Sequence, residues 1–527
     1  MSPQLPDRPN LEQLKKQAKS LLHAAQDGDA AALQRFSLLP AFSKPGSAPA
    51  ANDLALHDAQ SVIAREHGFP SWNALREEVE ARTLSFEAAV DEFVRCASDG
   101  AFGRAQRLLA LHPRIANASL FTELVLGDAA AVDARLRAQP SLAVTPGGAQ
   151  NWEPLLYACH TCMHRDAPAR LDGLIAMARQ LCGLGANPNA EYKWNWHPEL
   201  PRTALWAAVC TIQHLPLAQV LLEAGANPTD GVTTHIAAGA SNIAALELLH
   251  RYGVNVDGIP GGVPPLAYIL NWSEDSAGPL WLLDHDADPN LSWGVDDESP
   301  LHVAARRCDV ALVESLVAHG ADVTKRRRDG ATPHTLAELS GNHDVAVWLL
   351  AHGAVDELAP LERFVAACAR GDRAAADRMR AADPSLPSQL RPEHHRMLDR
   401  PAESGNAAVL EAMLASGFDA NSADKDNVTA LHRAAMAGHP DAARVLLAHG
   451  ADVNALDGMF AATPLVWAVE GRSSSKRAGK DFVGVARVLI AAGSSLEWTP
   501  PNGAPGPDRA LEGLLQLRRD AAAELET

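Results

Sequence analysis

The chain has few aromatic residues, no long apolar run and a shortage of basic charge. Phe, Trp and Tyr make up 5% of its 527 residues, and 46 Lys and Arg stand against 64 Asp and Glu, a net charge of −18. This deficit argues against a broad nucleic-acid or anionic-membrane surface. No run approaches the roughly 18 apolar residues of a membrane span. The first 25 residues hold no uninterrupted apolar stretch, so we expect no secretory signal.

Cysteines and the motifs of common enzyme classes are scarce too. The seven cysteines are odd in number and widely scattered, which favours a reducing compartment, the cytoplasm, over a disulfide framework. The sequence contains no Ser nucleophile elbow, no P-loop and no Gly-rich dinucleotide turn. We therefore predict no catalytic residue, no cofactor and no metal, and a protein that is not an enzyme.

What the chain does have is a phrase that returns. It reads Leu-Leu, two variable residues, Gly-Ala-Asp/Asn, one residue, then Asn or Thr. The copies lie at 181–189, 221–229, 248–256, 282–290, 316–324, 349–354, 413–421, 446–454 and 489–497. The Gly-equivalent positions 253, 286, 320 and 353 are separated by 33, 34 and 33 residues. A fixed period of this length indicates one supersecondary unit stacked many times.

A second phrase, like Thr-Pro-Leu-His, follows each Gly-Ala by about twelve residues. Its clearest copies begin at Ser299, Thr429 and Thr463. A hydroxyl residue before Pro can cap a helix, and the Gly-equivalent suits a C-cap with positive φ. Together these features resemble the ankyrin repeat over residues 150–498. The resemblance implies an all-α solenoid of helix-turn-helix units with short hairpin loops, preceded by a small helical N-terminal region.

We predict five regions along the chain. Residues 1–85 look like the helical extension of many bacterial ankyrin proteins, and 86–149 hold atypical capping-type helix pairs. Repeats fill 150–356 and 357–498, and 499–527 form a Pro/Gly-rich tail and a closing helix. The boundary near 357 rests on a degenerate Gly-Asp-x-Ala-Ala unit at 371–387 that interrupts the array.

Three lengthened loops depart from the repeat pattern. One is an inter-repeat hairpin with six extra residues in 190–201, and the others are 161–173 and the basic, Ser-rich 471–481. Insertions in a solenoid often mark the binding face. The predicted partner-binding residues are aromatic or His side chains in this part of the array: Tyr192, Trp194, Trp196, His197, Trp206, Trp272 and Trp293. The alternative is that the hairpin rings pack on Trp206 or Trp152 as a local core.

Cysteine and histidine positions admit more than one interpretation. Cys159-His-Thr-Cys162 with His164 could be core residues inside a helix, metal ligands or a redox pair. We favour core, because no second matching pair follows. Most histidines hold repeat positions. We expect the phrase-ending His235, His302 and His432 to form hydrogen bonds with loop backbone. The residues His319, His352 and His449 share a helix-end position, where a cation interacts favourably with the helix dipole.

The resemblance implies a non-catalytic scaffold that binds a protein or peptide on the concave or loop face. We expect no nucleic acid, no membrane and a monomer. An alternative is a small-molecule-binding or enzymatic solenoid that uses the His/Trp/Tyr cluster of 152–235. A third is an effector delivered into a host cell. Saturable quenching of tryptophan fluorescence by small apolar ligands would favour the second interpretation.

Overall fold

The computed structural model describes residues 5–6, 9–39, 54–194, 197–271, 275–474 and 480–495. It divides into two compact units, Met1–Asp288 and Pro289–Thr527. Both are built almost entirely of helices, as predicted for an all-α repeat solenoid. Each helix within the described ranges is too short or too polar to cross a membrane.

The first unit contains sixteen labelled helices and one hairpin in its described residues. They are α1 Leu11–Gln26, α2 Ala30–Arg35, α3 Leu56–Glu66, α4 Trp72–Thr83, α5 Phe86–Ser98, α6 Phe102–Leu111, α7 Leu120–Leu126, α8 Ala129–Ala138, α9 Pro154–His160, α10 Arg170–Gly183, β1 Glu191–Trp194, β2 His197–Thr203, α11 Ala204–Trp206, α12 Leu215–Glu223, α13 Thr233–Gly239, α14 Ile243–Arg251, α15 Pro265–Leu270 and α16 Ala277–Asp284. A π-helical turn, Ala207–Thr211, continues α11.

The second unit contains thirteen labelled helices in its described residues. They are α17 Pro300–Arg307, α18 Val310–Ala318, α19 Pro333–Leu339, α20 His343–Ala351, α21 Pro360–Ala369, α22 Arg373–Ala382, α23 Pro392–His395, α24 Asp399–Ser404, α25 Ala407–Ala415, α26 Ala430–Ala437, α27 Pro440–Ala448, α28 Pro464–Ser474 and α29 Phe482–Ala491. The predicted boundary near 357 falls inside this unit and stays a prediction. The tail predicted from 499 lies outside the described residues.

The N-terminal helices form as the sequence predicts. The apolar spacing from Leu11 to Ala25 becomes α1, which buries Leu14, Ala18 and Leu21 against α3. Ser71 caps α4, because its Oγ accepts the Ala74 amide at 3.2 Å. These helices share one apolar core. The Gly-Asp phrases also have a local cause: the glycine has positive φ and the aspartate caps the next helix, as at Asp128.

Histidines connect three of the repeats to the next hairpin, as predicted for His235, His302 and His432. His432 Nδ1 accepts from the backbone amide and hydroxyl of Thr429, at 3.2 and 2.9 Å, and its Nε2 donates to Ala462 O at 3.1 Å. His302 makes the same bonds to Ser299 and Ala331. His235 keeps only the bond to Val263 O, since Val232 replaces the hydroxyl residue. The rings of His302 and His432 are fully buried, and each uses both of its nitrogens in hydrogen bonds, which explains why the phrase ends in His.

The asparagine that ends the other phrase makes a two-bond seam with the following repeat. Asn421 Nδ2 donates to Gly450 O at 2.9 Å, and its Oδ1 accepts the Asp452 amide at 2.7 Å. Three more seams have this form and are made by Asn189, Asn290 and Asn454. Thr324 stands at the same place and instead bonds Asp322 in its own hairpin. Thr229 and Asp257, at the same place in other repeats, each accept one amide of the following repeat, so only the two-bond form of the seam depends on the carboxamide.

Candidate functional site

The lengthened hairpin predicted in 190–201 is a two-stranded antiparallel finger. Strands β1 and β2 pair Glu191 with Thr203, Tyr192 with Arg202, and Trp194 with His197, and the register shifts between Tyr192 and Trp194. A bulge of this kind strengthens the local twist and turns the end of a ribbon away from its base. The finger thus has an ordered base, where Tyr192 and Arg202 lie opposite each other.

Tyr192 packs into a cluster of rings at that base. Its ring stacks on Trp152 with centroids 4.1 Å apart, and Trp152 in turn lies 5.3 Å from Tyr157 of α9. The Tyr157 hydroxyl donates to Gly147 O at 2.9 Å and accepts the Gln150 amide at 3.0 Å. Burial raises the pKa of both tyrosines. For Tyr192, the contact is with Trp152, the residue that the local-core alternative named.

On the other side of the base lie His160 and Trp206. Their rings are 5.9 Å apart, and the T-shaped contact of His160 with Tyr192 joins this pair to the first cluster. His160 is 3% exposed, and burial lowers its pKa to about 3. It is therefore neutral at ordinary pH. The buried Trp206 Nε1 has no hydrogen-bond partner within the described part of the protein.

Arg202 covers the Trp206 ring. Its guanidinium carbon lies 3.9 Å from the ring centroid, a close cation–π contact. Burial lowers the pKa of Arg202, and the neighbouring Tyr192 opposes that shift. Both residues of one register pair are thus anchored, Tyr192 on Trp152 and Arg202 on Trp206. The finger's base is clamped from both strands.

Trp206 occupies the place that histidine holds in other repeats. It follows Thr203 by three residues, as His302 follows Ser299, and the Thr203 Oγ1 accepts the Trp206 amide at 2.9 Å. The hydroxyl also donates to Asp230 Oδ2 at 2.7 Å. The indole replaces a latch to the next hairpin with a platform for Arg202. The substitution was visible in the sequence, as Thr-Ala-Leu-Trp, but its consequence was not.

We expect Trp152→Ala to loosen the finger. The change removes the ring under Tyr192 and beside Tyr157, and truncating a large half-buried side chain costs about 3 kcal/mol of unfolding free energy. Trypsin cleavage after the exposed Lys193 should become faster, measured by mass spectrometry of the full chain. The control is Trp348→Ala, which removes an indole stacked on His352 in the second unit. Unchanged cleavage at Lys193 in Trp152→Ala would contradict the clamp.

The other predicted site residues are placed unevenly. Trp194 and His197 lie in β1 and β2, and their side chains fall outside the described residues, as do Trp196 and Trp272 entirely. Trp293 lies in the second unit, where it pairs with Glu298 across a short bridge and its buried Nε1 has no partner among the described groups. The partner-binding role of all seven residues stays a prediction.

The Cys-x-x-Cys sequence differs in one respect from our expectation. Cys159 lies in the last turn of α9, but Cys162 lies beyond the helix end, because the chain leaves the helical conformation at Thr161. The Cys162 amide donates to Ala97 O at 2.8 Å, and both cysteines are buried, so that burial raises the pKa of each thiol. Among the described residues no group of three His, Cys, Asp or Glu is arranged to hold a metal ion.

Comparison with known proteins points to one family. Residues 266–358 and 398–483 match the family model of ankyrin repeats in three copies. Over 99 residues the chain is 44% identical to the ankyrin repeat and SOCS box protein 11 of Danio rerio. This match covers 19% of this chain and 33% of that protein. Over 77 residues it is 40% identical to the NF-kappa-B inhibitor cactus of Drosophila melanogaster, covering 15% and 14%. The matches thus span a third or less of these relatives.

A solved structure of an ankyrin repeat domain from Acinetobacter baumannii AYE is also similar. It is 19% identical, and the match covers 42% of this chain and 98% of that domain with a TM-score of 0.24. The family match falls on α15 to α20 and on α24 to the start of α29. The finger and its ring cluster precede both matched ranges.

Proposed function

This chain is an ankyrin-repeat protein, and from that premise we propose that it is a non-catalytic scaffold that binds a protein or peptide through the β1–β2 finger. Ankyrin repeats are in general protein–protein interaction modules, and one relative is named an inhibitor of NF-kappa-B. The observation that carries the proposal is the clamped base of the finger. Tyr192 and Arg202 each lie on an indole, at 4.1 and 3.9 Å.

A clamped base matters because binding costs conformational entropy. Aromatic side chains presented on an ordered ribbon lose less freedom on binding than the same side chains on a loose loop. Tyr192 itself is occupied by Trp152, so the proposal gives it a positioning role. The proposal then assigns the partner contacts to Trp194, Trp196 and His197, which follow Tyr192 in the sequence.

We expect Trp194→Ala/Trp196→Ala to lose the partner while keeping the fold. The full chain is immobilised, and proteins captured from native lysate are identified by mass spectrometry and then purified for calorimetry. Loss of two aromatic anchors should raise Kd by at least about tenfold, since hot-spot aromatics contribute roughly 2 kcal/mol or more each. Trp348→Ala serves as the control, and helicity is matched by circular dichroism. Equal affinity of the finger variant and wild type would sink the proposal.

A small-molecule site is the second candidate, and one observation favours it. Trp206 Nε1 is a buried polar atom without a partner among the described residues, and such an atom is costly unless something satisfies it. A ligand with a hydrogen-bond acceptor would satisfy the indole. If wild type and variant both capture nothing, saturable quenching of tryptophan fluorescence by such ligands, lost in Trp206→Phe, would decide for this candidate.

A further inference from the structure

Three helix ends meet in the second unit. Asn342, which precedes α20, donates through Nδ2 to Ala305 O at 3.0 Å and to Cys308 O at 2.8 Å, and so holds the end of α17. Arg400, in the first turn of α24, reaches the end of α19, where its Nη1 lies 3.5 Å from Ser340 O. These contacts place the start of α24 beside the ends of α17 and α19.

Arginines gather at this junction, and two of the nearby carboxylates are already paired. Glu298 binds Arg306 in a two-point contact and also takes Arg327 Nη1 at 3.0 Å. Glu338 pairs with Arg370. Within the described residues, Arg307 and Arg400 make no ion pair at the 4.0 Å limit, and both side chains are exposed.

The charges at the junction act on one another. Desolvation by its neighbours, and then the positive charges of Arg307 and Arg306, lower the pKa of the Arg400 guanidinium, while Cys308 and, more weakly, Glu403 oppose them. Burial raises the pKa of the Cys308 thiol to about 11, and Arg307 and Arg400 both act in the opposite direction. Arg307 and Arg400 therefore lie near the same thiol, and like charges brought together disfavour the charged state.

The helix dipole accounts for the position of only one of the two arginines, Arg307 and Arg400. Arg307 is in the last turn of α17, where a cation is favourable. Arg400 is in the first turn of α24, where a cation is unfavourable. A chain with 64 acidic residues and 46 basic ones leaves these two guanidiniums without a carboxylate. An anion from outside the chain would relieve the repulsion.

We propose that Arg307 and Arg400 together bind the acidic side chains of a peptide segment, either a carboxylate or a phosphate. Guanidinium groups match both anions in two-point contacts, and charge-assisted hydrogen bonds of this kind are the strong ones. The site lies in the second unit and uses none of the finger residues. A result that contradicts this proposal would therefore leave the proposed function unaffected, and the reverse also holds.

The test measures binding of fluorescein-labelled peptides to the full chain by anisotropy at fixed ionic strength. Two arms use a hexaglutamate peptide and a phosphoserine peptide, and a hexaglutamine peptide is the neutral reference. We expect binding in at least one acidic arm, none in the neutral arm, and a loss of at least about tenfold in Arg307→Gln/Arg400→Gln. The arm that binds more tightly identifies the anion. Absence of binding in both acidic arms overturns the proposal.

Two controls separate a site from general electrostatics. Arg137→Gln/Arg391→Gln removes the same charge at side chains that are 78% and 66% exposed and already paired with carboxylates. It should change affinity less than about twofold, because the charge of each of these arginines is already balanced by its own carboxylate. An equal loss in this variant would overturn the proposal. Arg400→Gln alone should raise Tm by relieving repulsion, and a lowered Tm would contradict the like-charge argument.

Discussion

Replacing Gly278 with alanine should destabilise the first unit by about 3 kcal/mol, the upper part of the range for overpacked cores. A Cβ at this position would lie 1.9 Å from Ala238 O and 2.7 Å from Ala238 C. Both atoms are backbone of α13, so no side chain can turn away. Helix α16 would have to move off α13 by about 1.5 Å to reach ordinary contact, and the contacts between the two helices would be lost.

The matched control has the opposite sign. Gly103 is inside α6, and a Cβ there meets nothing within 4 Å. Gly103→Ala should stabilise the chain by up to about 1 kcal/mol, because alanine loses less conformational entropy in a helix. Guanidinium unfolding followed by circular dichroism measures both variants. Equal midpoints for the two would show that α13 and α16 pack less closely than the structure has them.

Acid should weaken the fold steeply between about pH 6.5, the ordinary pKa of histidine, and pH 5. Burial lowers the pKa of four latched or clustered histidines: His160, His235, His302 and His432. A histidine with a lowered folded-state pKa binds protons more readily in the unfolded state. Its contribution is complete above the unfolded pKa and is lost as the pH falls below it. For His160 the loss reaches about 2 kcal/mol by pH 5.

Two carboxyl groups work against this trend. Burial raises the pKa of Asp399 to about 6, so its unfavourable ionised form is relieved as the pH falls through 6, and burial raises the pKa of Asp99 as well. Two groups cannot offset four histidines that change in the same window. Urea midpoints measured from pH 8 to pH 5 should therefore fall, and His160→Gln should flatten the slope. His23→Gln is the control, since that side chain is 80% exposed. A slope unchanged in His160→Gln would refute the assignment.

The sequence predicted the parts of the fold that depend on local chemistry. The 33-residue period, the bond between the hydroxyl residue and His, and the positive-φ glycines are set within one repeat, so the pairing of Ser299 with His302 follows from the amino-acid order alone. The seam made by Asn421 was visible only as a preference for Asn, because its partners Gly450 and Asp452 belong to the following repeat.

The candidate site was harder to predict, because it depends on packing between segments far apart in sequence. The sequence indicated that aromatic residues gather near 190–206. It could not decide that Tyr192 stacks on Trp152, forty residues earlier, or that the register places Arg202 over Trp206. The Arg307–Arg400 pair was missed altogether. The segment 383–398 that precedes α24 follows no repeat pattern, so no periodicity indicated where α24 would lie.

Because of the asparagine seam, a repeat can be deleted or duplicated as a unit. A repeat with Asn at this place carries both halves of the connector, the carboxamide that leads to the next unit and the backbone that receives the previous one. Asn421 and Asn454 are 454 − 421 = 33 residues apart, so a recombination that deletes or duplicates the interval between them would join matching halves again. Thr324 lacks the carboxamide, so an exchange there would carry no such guarantee. Deletion or duplication of repeats would thus preserve the two-bond seam where the repeat carries Asn, and would not preserve it where the repeat lacks Asn.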